Sequence, residues 1–194
     1  MTGRALWVFP MLFLVILPVT HTVSIRLTAL AFSLLLAFWT RHQAGENASP
    51  LPLKGALGLW LLAALASVPG GVDPWYSLRE VKTEVGYGLV AFFTFFILTR
   101  GERERRLCME ALLWGFVALS ATAVALVWAD GGVWENNHGP MGGVGTYSTW
   151  LIIIFPFLAW YLFTECRIGW RRKLRWLVPL LFLLSGYLTK NRMF

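Results

Sequence analysis

Charged residues are scarce in this sequence, and cysteine and histidine are scarcer still. Its 194 residues include 17 Lys and Arg, 10 Asp and Glu, three His and two Cys, so only 14% are charged. A soluble domain carries about 25% charged residues, whereas a disordered chain is poor in apolar residues and rich in charge. The sequence has no Gly-X-Y period and no sustained heptads. These absences argue against soluble globular, disordered, collagen and coiled-coil classes.

Apolar residues, by contrast, make up 57% of the chain and gather in long runs. A helix needs about 20 mainly apolar residues to cross a bilayer. The runs predict an all-α, polytopic membrane helix bundle of about seven transmembrane helices, with the amino terminus inside. The predicted spans are Ala5–Thr20, Thr22–Trp39, Gly55–Val72, Val81–Leu98, Leu107–Val127, Tyr147–Phe163 and Leu174–Leu188. The first run is interpreted as an uncleaved span, because no small-x-small cleavage site follows it.

The positive charge is distributed unevenly along these spans. With the amino terminus inside, twelve of the 17 Lys and Arg lie in inner segments and five in outer segments, while the acidic residues divide equally. An excess of Lys and Arg is typical of cytoplasmic loops in membrane proteins. The inner side then carries the whole net charge of +7. Membrane topology therefore explains this charge, and no nucleic-acid partner is predicted.

The first unusual outer segment is DPWYSLREVKTEVG, residues 73–86. Asp73 followed by Pro74 predicts a helix N-cap with proline at the first helical position. The spacing of the apolar residues after it predicts a short helix at the outer interface that runs into the fourth span. This helix is either a solvated start anchored by Trp75 or the rim of a site for an amphiphilic substrate. In the second case Arg79 is a substrate-binding residue.

The second outer segment, residues 130–146, holds six glycines, no Lys or Arg, and the cluster Glu135, Asn136, Asn137 and His138. It lacks the Lys-Ser/Thr ending of a phosphate-binding P-loop. A lone histidine does not form a zinc site, which needs three or four protein ligands, so no metal is predicted. The segment is either a mobile connection before the sixth span or the polar wall of an outer cavity that includes His138.

The third outer segment follows the seventh span with Lys190, Asn191 and Arg192. Cations directly outside a span run against the positive-inside pattern. They either reach back to lipid headgroups or bind a phosphate, for which the planar fork of an arginine is well suited.

These three segments resemble the O-antigen ligase family of bacterial inner-membrane proteins, which also includes O-antigen polymerases and protein O-oligosaccharyltransferases. The resemblance is carried by DPWYSLREVKTEV before a span, by ENNHGPMGGVGTYSTW leading into LIIIFPFLAW, and by SGYLTKNRMF outside the membrane. It covers essentially all 194 residues, and the order and sidedness of the three segments are more specific than any one motif. It implies one transmembrane domain, 1–194, that forms the amino-terminal part of a longer family domain.

The resemblance implies a glycosyltransferase of lipopolysaccharide biosynthesis in the bacterial inner membrane, with its active face in the periplasm. The donor is a glycan on undecaprenyl diphosphate, the acceptor is lipid A–core, and membrane lipids surround the enzyme. Arg192 is the expected catalytic residue, and Lys190, Asn191, Arg79 and His138 are expected to bind substrate. Neither a cofactor nor a metal is expected, and the general base is expected beyond residue 194.

Two other function classes stay open. One is a transporter of the same lipid carrier, which needs ionisable residues deep in its spans. The interiors of the predicted spans lack such residues, and Glu110 lies near an inner end of its span, which argues against ion coupling. The other is a non-enzymatic membrane assembly protein, which would tolerate loss of the outer cations.

Overall fold

The computed structural model describes residues 7–19, 21–44, 53–129, 144–165 and 171–189. These residues are mainly helical and include no strand, which confirms the predicted all-α fold class. A 3-10 turn (Val68–Gly70) and a π-helical turn (Val81–Gly86) lie between helices. The α-helices are α1 (Val8–Ile16), α2 (Val23–Ala44), α3 (Lys54–Ser67), α4 (Pro74–Glu80), α5 (Tyr87–Leu98), α6 (Glu102–Ala129), α7 (Val144–Thr164) and α8 (Arg171–Thr189).

Helices α6, α7 and α8 pack against one another in alternating directions. At one end, Arg106 near the start of α6 lies 2.8 Å from the carboxylate of Glu165, which follows α7. At the same end, Arg175 near the start of α8 donates to the carbonyl of Leu162 at 3.0 Å. At the other end, the hydroxyl of Tyr147 near the start of α7 donates to Ser120 of α6 at 3.3 Å. Helix α7 is therefore antiparallel to both neighbours.

The largest apolar core belongs to this three-helix unit. Phe116 of α6 stacks on Trp150 of α7 with ring centroids 5.8 Å apart, and Phe155 of α7 stacks on Phe182 of α8 at 4.1 Å. Leu158 at the centre of α7 is fully buried. The three helices thus bury their facing sides against one another, as helices in a bundle do.

Helices α1, α2 and α5 form the other packed group, and α1 attaches it to α6. Phe13 of α1 packs with Ala29 and Leu30 of α2, and Phe13 stacks on Phe95 of α5 at 5.5 Å. Toward the other end, Ala37 of α2 is buried together with Leu98 of α5. These contacts make α2 and α5 parallel to each other.

The arm formed by α3, the 3-10 turn and α4 (residues 54–80) packs differently. None of the residues of α3 or α4 is buried. The principal contacts of α3 are with the 3-10 turn and with the π-helical turn rather than with the packed bundle. Helix α4 continues through the π-helical turn into α5, so Pro74–Leu98 is one helical stretch of 25 residues.

Within the described residues, four helices are long and apolar enough to cross a membrane. They are Val23–Gln43, Pro74–Leu98, Glu102–Ala129 and Gly145–Thr164, and they correspond to the second, fourth, fifth and sixth predicted spans. The other three predicted spans are helical, but they do not meet both requirements. The total of seven spans and the inside position of the amino terminus stay predictions.

Each of these three helices differs from a full span for a physical reason. Helix α1 has nine residues, about 14 Å at 1.5 Å per residue, whereas the hydrocarbon core is about 30 Å thick. The apolar stretch Lys54–Gly70 has 17 residues at most. Helix α8 is long enough, but four of its first five residues are cations.

The alternation of the helices separates two ends of the bundle. The basic end holds Arg41, Arg100, Arg103, Arg105, Arg106, Arg172, Lys173 and Arg175. The opposite end holds the turn between α1 and α2, the start of α4, the start of α7 and the last turn of α8. The three predicted outer segments adjoin these elements, so the predicted site residues belong to the opposite end.

Candidate functional site

A cleft of about 790 Å³ opens between α3 and the helical stretch that begins with α4. Its walls are mainly apolar, and its charged residues come from the N-cap of α4, from α4 itself and from the π-helical turn. The lining residues are Leu61, Leu65, Asp73, Trp75, Tyr76, Leu78, Arg79, Val81, Lys82 and Gly86. The cleft therefore combines a surface suited to hydrocarbon with a few charged groups at one end of the bundle.

The start of α4 is organised by its N-cap, Asp73, and its first residue, Pro74. The carboxylate of Asp73 accepts hydrogen bonds from the amides of Trp75 at 2.9 Å and Tyr76 at 3.1 Å. Pro74 takes the first helical position, where it has no amide hydrogen to leave unpaired. The predicted N-cap is thereby confirmed. The cap directs α4 so that the residues of its first turn line the cleft.

The π-helical turn (Val81–Gly86) is the second element that shapes the cleft. Segments of π-helix are rare, and they occur frequently at functional sites. Val85 is buried against the bundle, whereas Lys82 is exposed and lines the cleft. The hydroxyl of Thr83 donates to the carbonyl of Arg79 at 2.8 Å. This wider turn thus connects an open arm to a packed helix without ending the helical stretch.

The charges of the cleft favour an anionic ligand. Arg79 and Lys82 are exposed, and among the described side chains neither forms an ion pair. The carboxylate of Asp73 is engaged with two backbone amides. Arginine can present a planar donor fork to a phosphate, and lysine can add a flexible point charge. An amphiphile with an anionic group can therefore place its chain on the apolar wall and its charge beside these two cations.

Among the predicted site residues, Arg79 is the one whose surroundings the structure describes, and it lines this cleft. Lys190, Asn191, Arg192 and His138 lie outside the described residues. Their roles stay predictions. The helix ends that flank them, Ala129, Val144 and Thr189, belong to the opposite end of the bundle, as α4 does.

Several lining residues were not predicted as site residues. Lys82 follows Arg79 by three positions, a spacing that places two residues on one face of a helix, so the sequence contained a signal for it. Leu61 and Leu65 come from α3, which is distant in sequence from Arg79. Their part in the cleft depends on how α3 folds back, and no local pattern predicts that.

The described residues contain no group of three or more His, Cys, Asp and Glu that could hold a metal ion. The prediction of a metal-independent reaction rests on the sequence and stays a prediction.

Comparisons with known proteins add no family: no family model, curated protein or solved structure matches the chain. The resemblance to O-antigen ligases consequently rests on the three quoted segments alone.

Proposed function

We propose that this chain is part of a membrane glycosyltransferase of the O-antigen ligase type. It transfers a glycan from undecaprenyl diphosphate to lipid A–core at the periplasmic face of the bacterial inner membrane. The observation that carries the proposal is the cleft beside α4, where an apolar wall adjoins the exposed cations Arg79 and Lys82. A polyprenyl diphosphate has the matching parts, a long hydrocarbon chain and a compact anionic head.

The proposed topology has seven spans with the amino terminus in the cytoplasm. The clustering of cations at the basic end supports it, because cytoplasmic segments carry an excess of Lys and Arg. In this orientation the cleft, the segment with His138 and the segment Lys190–Arg192 all adjoin the periplasmic face. Helix α1 would then need residues beyond Val8–Ile16 to complete its span.

The proposed reaction is a displacement at the anomeric carbon of the glycan. The acceptor hydroxyl forms a bond to that carbon, and the bond from the carbon to the diphosphate oxygen breaks. Negative charge grows on the departing diphosphate, so cations placed against it lower the barrier. Arg192 has this role, with Lys190 and Asn191 beside it, while Arg79 and Lys82 hold the donor and His138 lines the acceptor side. The hydroxyl proton passes to a general base.

The acceptor distinguishes this proposal from its closest alternatives. A growing glycan as acceptor would make the enzyme an O-antigen polymerase, and a protein acceptor would make it an O-oligosaccharyltransferase. All three use the same donor and the same leaving group, so they make the same demand on Arg192, Arg79 and Lys82.

The test is transfer in vitro from purified lipid-linked glycan to lipid A–core by the full-length protein. Arg192→Ala should lower the rate by about 100- to 1,000-fold, the range found when one transition-state donor is removed. Arg192→Lys should also be impaired, because a point charge does not replace a bidentate fork. Arg79→Ala should chiefly raise the KM for the lipid-linked donor.

The matched control is Arg103→Ala, which removes an exposed arginine from the basic end. It should leave the transfer rate unchanged. Full transfer by Arg192→Ala, or an equal loss in Arg103→Ala, would overturn the proposal. Transfer to a glycan or protein acceptor alone would move the enzyme to one of the alternatives.

A further inference from the structure

A buried polar contact joins helices of the three-helix unit near the opposite end of the bundle. The hydroxyl of Tyr147 in α7 donates to Ser120 of α6 at 3.3 Å. Ser185 of α8 lies beside the same phenol, close enough to interact electrostatically but outside hydrogen-bond geometry. All three side chains are at most 1% exposed. One phenol hydroxyl thus faces two other helices inside an otherwise apolar core.

The surrounding rings hold this phenol in place. The ring of Tyr147 stacks on Trp150 at 6.1 Å, and Trp150 in turn stacks on Phe116 of α6 at 5.8 Å. Buried polar groups are stable only when they are paired, so the Tyr147 hydroxyl favours arrangements that keep Ser120 within reach. This contact is directional, whereas the hydrophobic effect that drives the packing around it is not.

The position of the contact along the three helices gives it functional interest. Ser120 lies nine residues before the end of α6, Tyr147 three residues after the start of α7, and Ser185 four residues before the end of α8. At 1.5 Å per residue, each is within about 14 Å of a helix end. Those ends lead directly to the segments with His138 and with Lys190–Arg192.

We infer that Tyr147 is a positioning residue that sets the register of α6, α7 and α8 where they carry the predicted site segments. It touches no substrate. Its hydroxyl bonds to Ser120 of α6 and lies beside Ser185 of α8, so that it restrains the ends of both helices relative to α7. This inference rests on the proposed function only for its catalytic consequence, because the separation of the helix ends can be measured without any assay of transfer.

The same helix supplies a matched control. Tyr161 of α7 is 2% exposed, and its hydroxyl donates to Glu110 of α6 at 3.4 Å near the basic end. Tyr161→Phe therefore also removes a phenol oxygen of α7 that donates to a residue of α6. It differs from Tyr147→Phe in the end of the bundle that it affects.

The first experiment measures the distance between spin labels attached at Trp128→Cys and Tyr187→Cys. Both positions are exposed, at 83% and 78%, near the ends of α6 and α8. The background carries Cys108→Ala and Cys166→Ala, so that only the chosen sites react. Tyr147→Phe should broaden or shift the distance distribution, and Tyr161→Phe should leave it unchanged. An unchanged distribution in Tyr147→Phe, or an equal change in both variants, would overturn the inference.

The second experiment measures transfer by the same variants without labels. Tyr147→Phe should lower kcat roughly 10- to 100-fold, because a displacement of 1 Å can cost about 100-fold, and it should leave the KM for donor nearly constant. Ser120→Ala should resemble it, whereas Ser120→Thr should restore the rate because it keeps the hydroxyl acceptor. A loss in Ser120→Thr equal to that in Ser120→Ala would count against the inference.

The two experiments separate the inference from the proposed function. If the unaltered protein transfers no glycan, the proposed function fails and the distances alone decide the role of Tyr147. If transfer proceeds at full rate in Tyr147→Phe and the distances stay constant, the positioning role fails while the proposed function stands.

Discussion

The three-helix unit of α6, α7 and α8 and the arm formed by α3 and α4 both contain apolar helical segments, but they pack very differently. In the most apolar stretches of α6 and α7, 39% and 44% of the residues are buried. In the arm, neither α3 nor α4 has a buried residue. Hydrophobic composition predicts helices in both regions, but it does not predict which helices pack together.

The difference in packing has a functional meaning. Regions with few buried contacts open at low free-energy cost, and binding elements are drawn from such regions. The cleft lies in the less packed arm, while the contact of Tyr147 lies in the well-packed unit. The arm is therefore suited to admit a ligand, and the unit is suited to hold helix ends at constant positions.

The largest difference in stability between the two regions is expected when one buried leucine is shortened. Leu158 of α7 is fully buried, so Leu158→Ala should cost about 2–5 kcal/mol through lost contacts and a cavity. Leu62→Ala in α3 is the same substitution at a side chain that is 63% exposed, and it should cost under about 0.5 kcal/mol. Unfolding of both variants in mixed micelles at increasing SDS measures the difference. Equal losses would show that the arm is as tightly packed as the unit.

The next largest loss of stability is expected where α1 approaches α6 closely. A Cβ atom on Gly115 would lie 3.3 Å from the Cα of Val15, whereas one on Gly88 of α5 would meet nothing within 4 Å. Gly115→Leu should force α1 away from α6 and cost about 1–3 kcal/mol. Gly88→Leu should be neutral or stabilising, because leucine is the better helix former. Resistance to limited proteolysis between α1 and α2 reports the change. It should fall in Gly115→Leu and persist in Gly88→Leu.

The smallest loss of stability should be confined to the arm. Asp73→Ala removes the side-chain cap of α4 and should cost about 1 kcal/mol. Because α4 contributes little to the packed core, the loss should appear as faster hydrogen exchange at the amides of Trp75 and Tyr76. Asp73→Asn keeps a capping oxygen and should retain most of the protection. Faster exchange spreading into α7 would show that the arm and the three-helix unit unfold together.

Much of the local structure could be predicted from particular residues. Asp73 and Pro74 predicted the start of α4, and the structure shows that cap. The apolar runs predicted every helix of the packed bundle, since an apolar run of that length is stable in a membrane chiefly as a helix. Arg79 was predicted to bind substrate because of its place in an amphipathic stretch. It lines the cleft, and its role in binding stays a prediction.

Other features could not be predicted because they depend on contacts between distant segments. Leu61 and Leu65 line the cleft because α3 folds back on the π-helical turn. The π-helical turn itself has no distinctive composition, and VKTEVG fits an ordinary α-helix equally well. In the sequence Tyr147 is one more aromatic residue at the start of a span, and only the packing of the helices brings Ser120 and Ser185 beside it.

The sequence by itself determined that the described residues are mainly helical, in which stretches most of their helices lie, and that the cations gather in alternate connections. These are local properties, set by hydrophobicity, capping and charge along the chain. The tertiary structure alone decided which apolar helices pack and which stay open, because packing depends on matching shapes between faces far apart in sequence. It placed the cleft in the open arm and the Tyr147 contact inside the packed unit, two features with complementary parts in the proposed function.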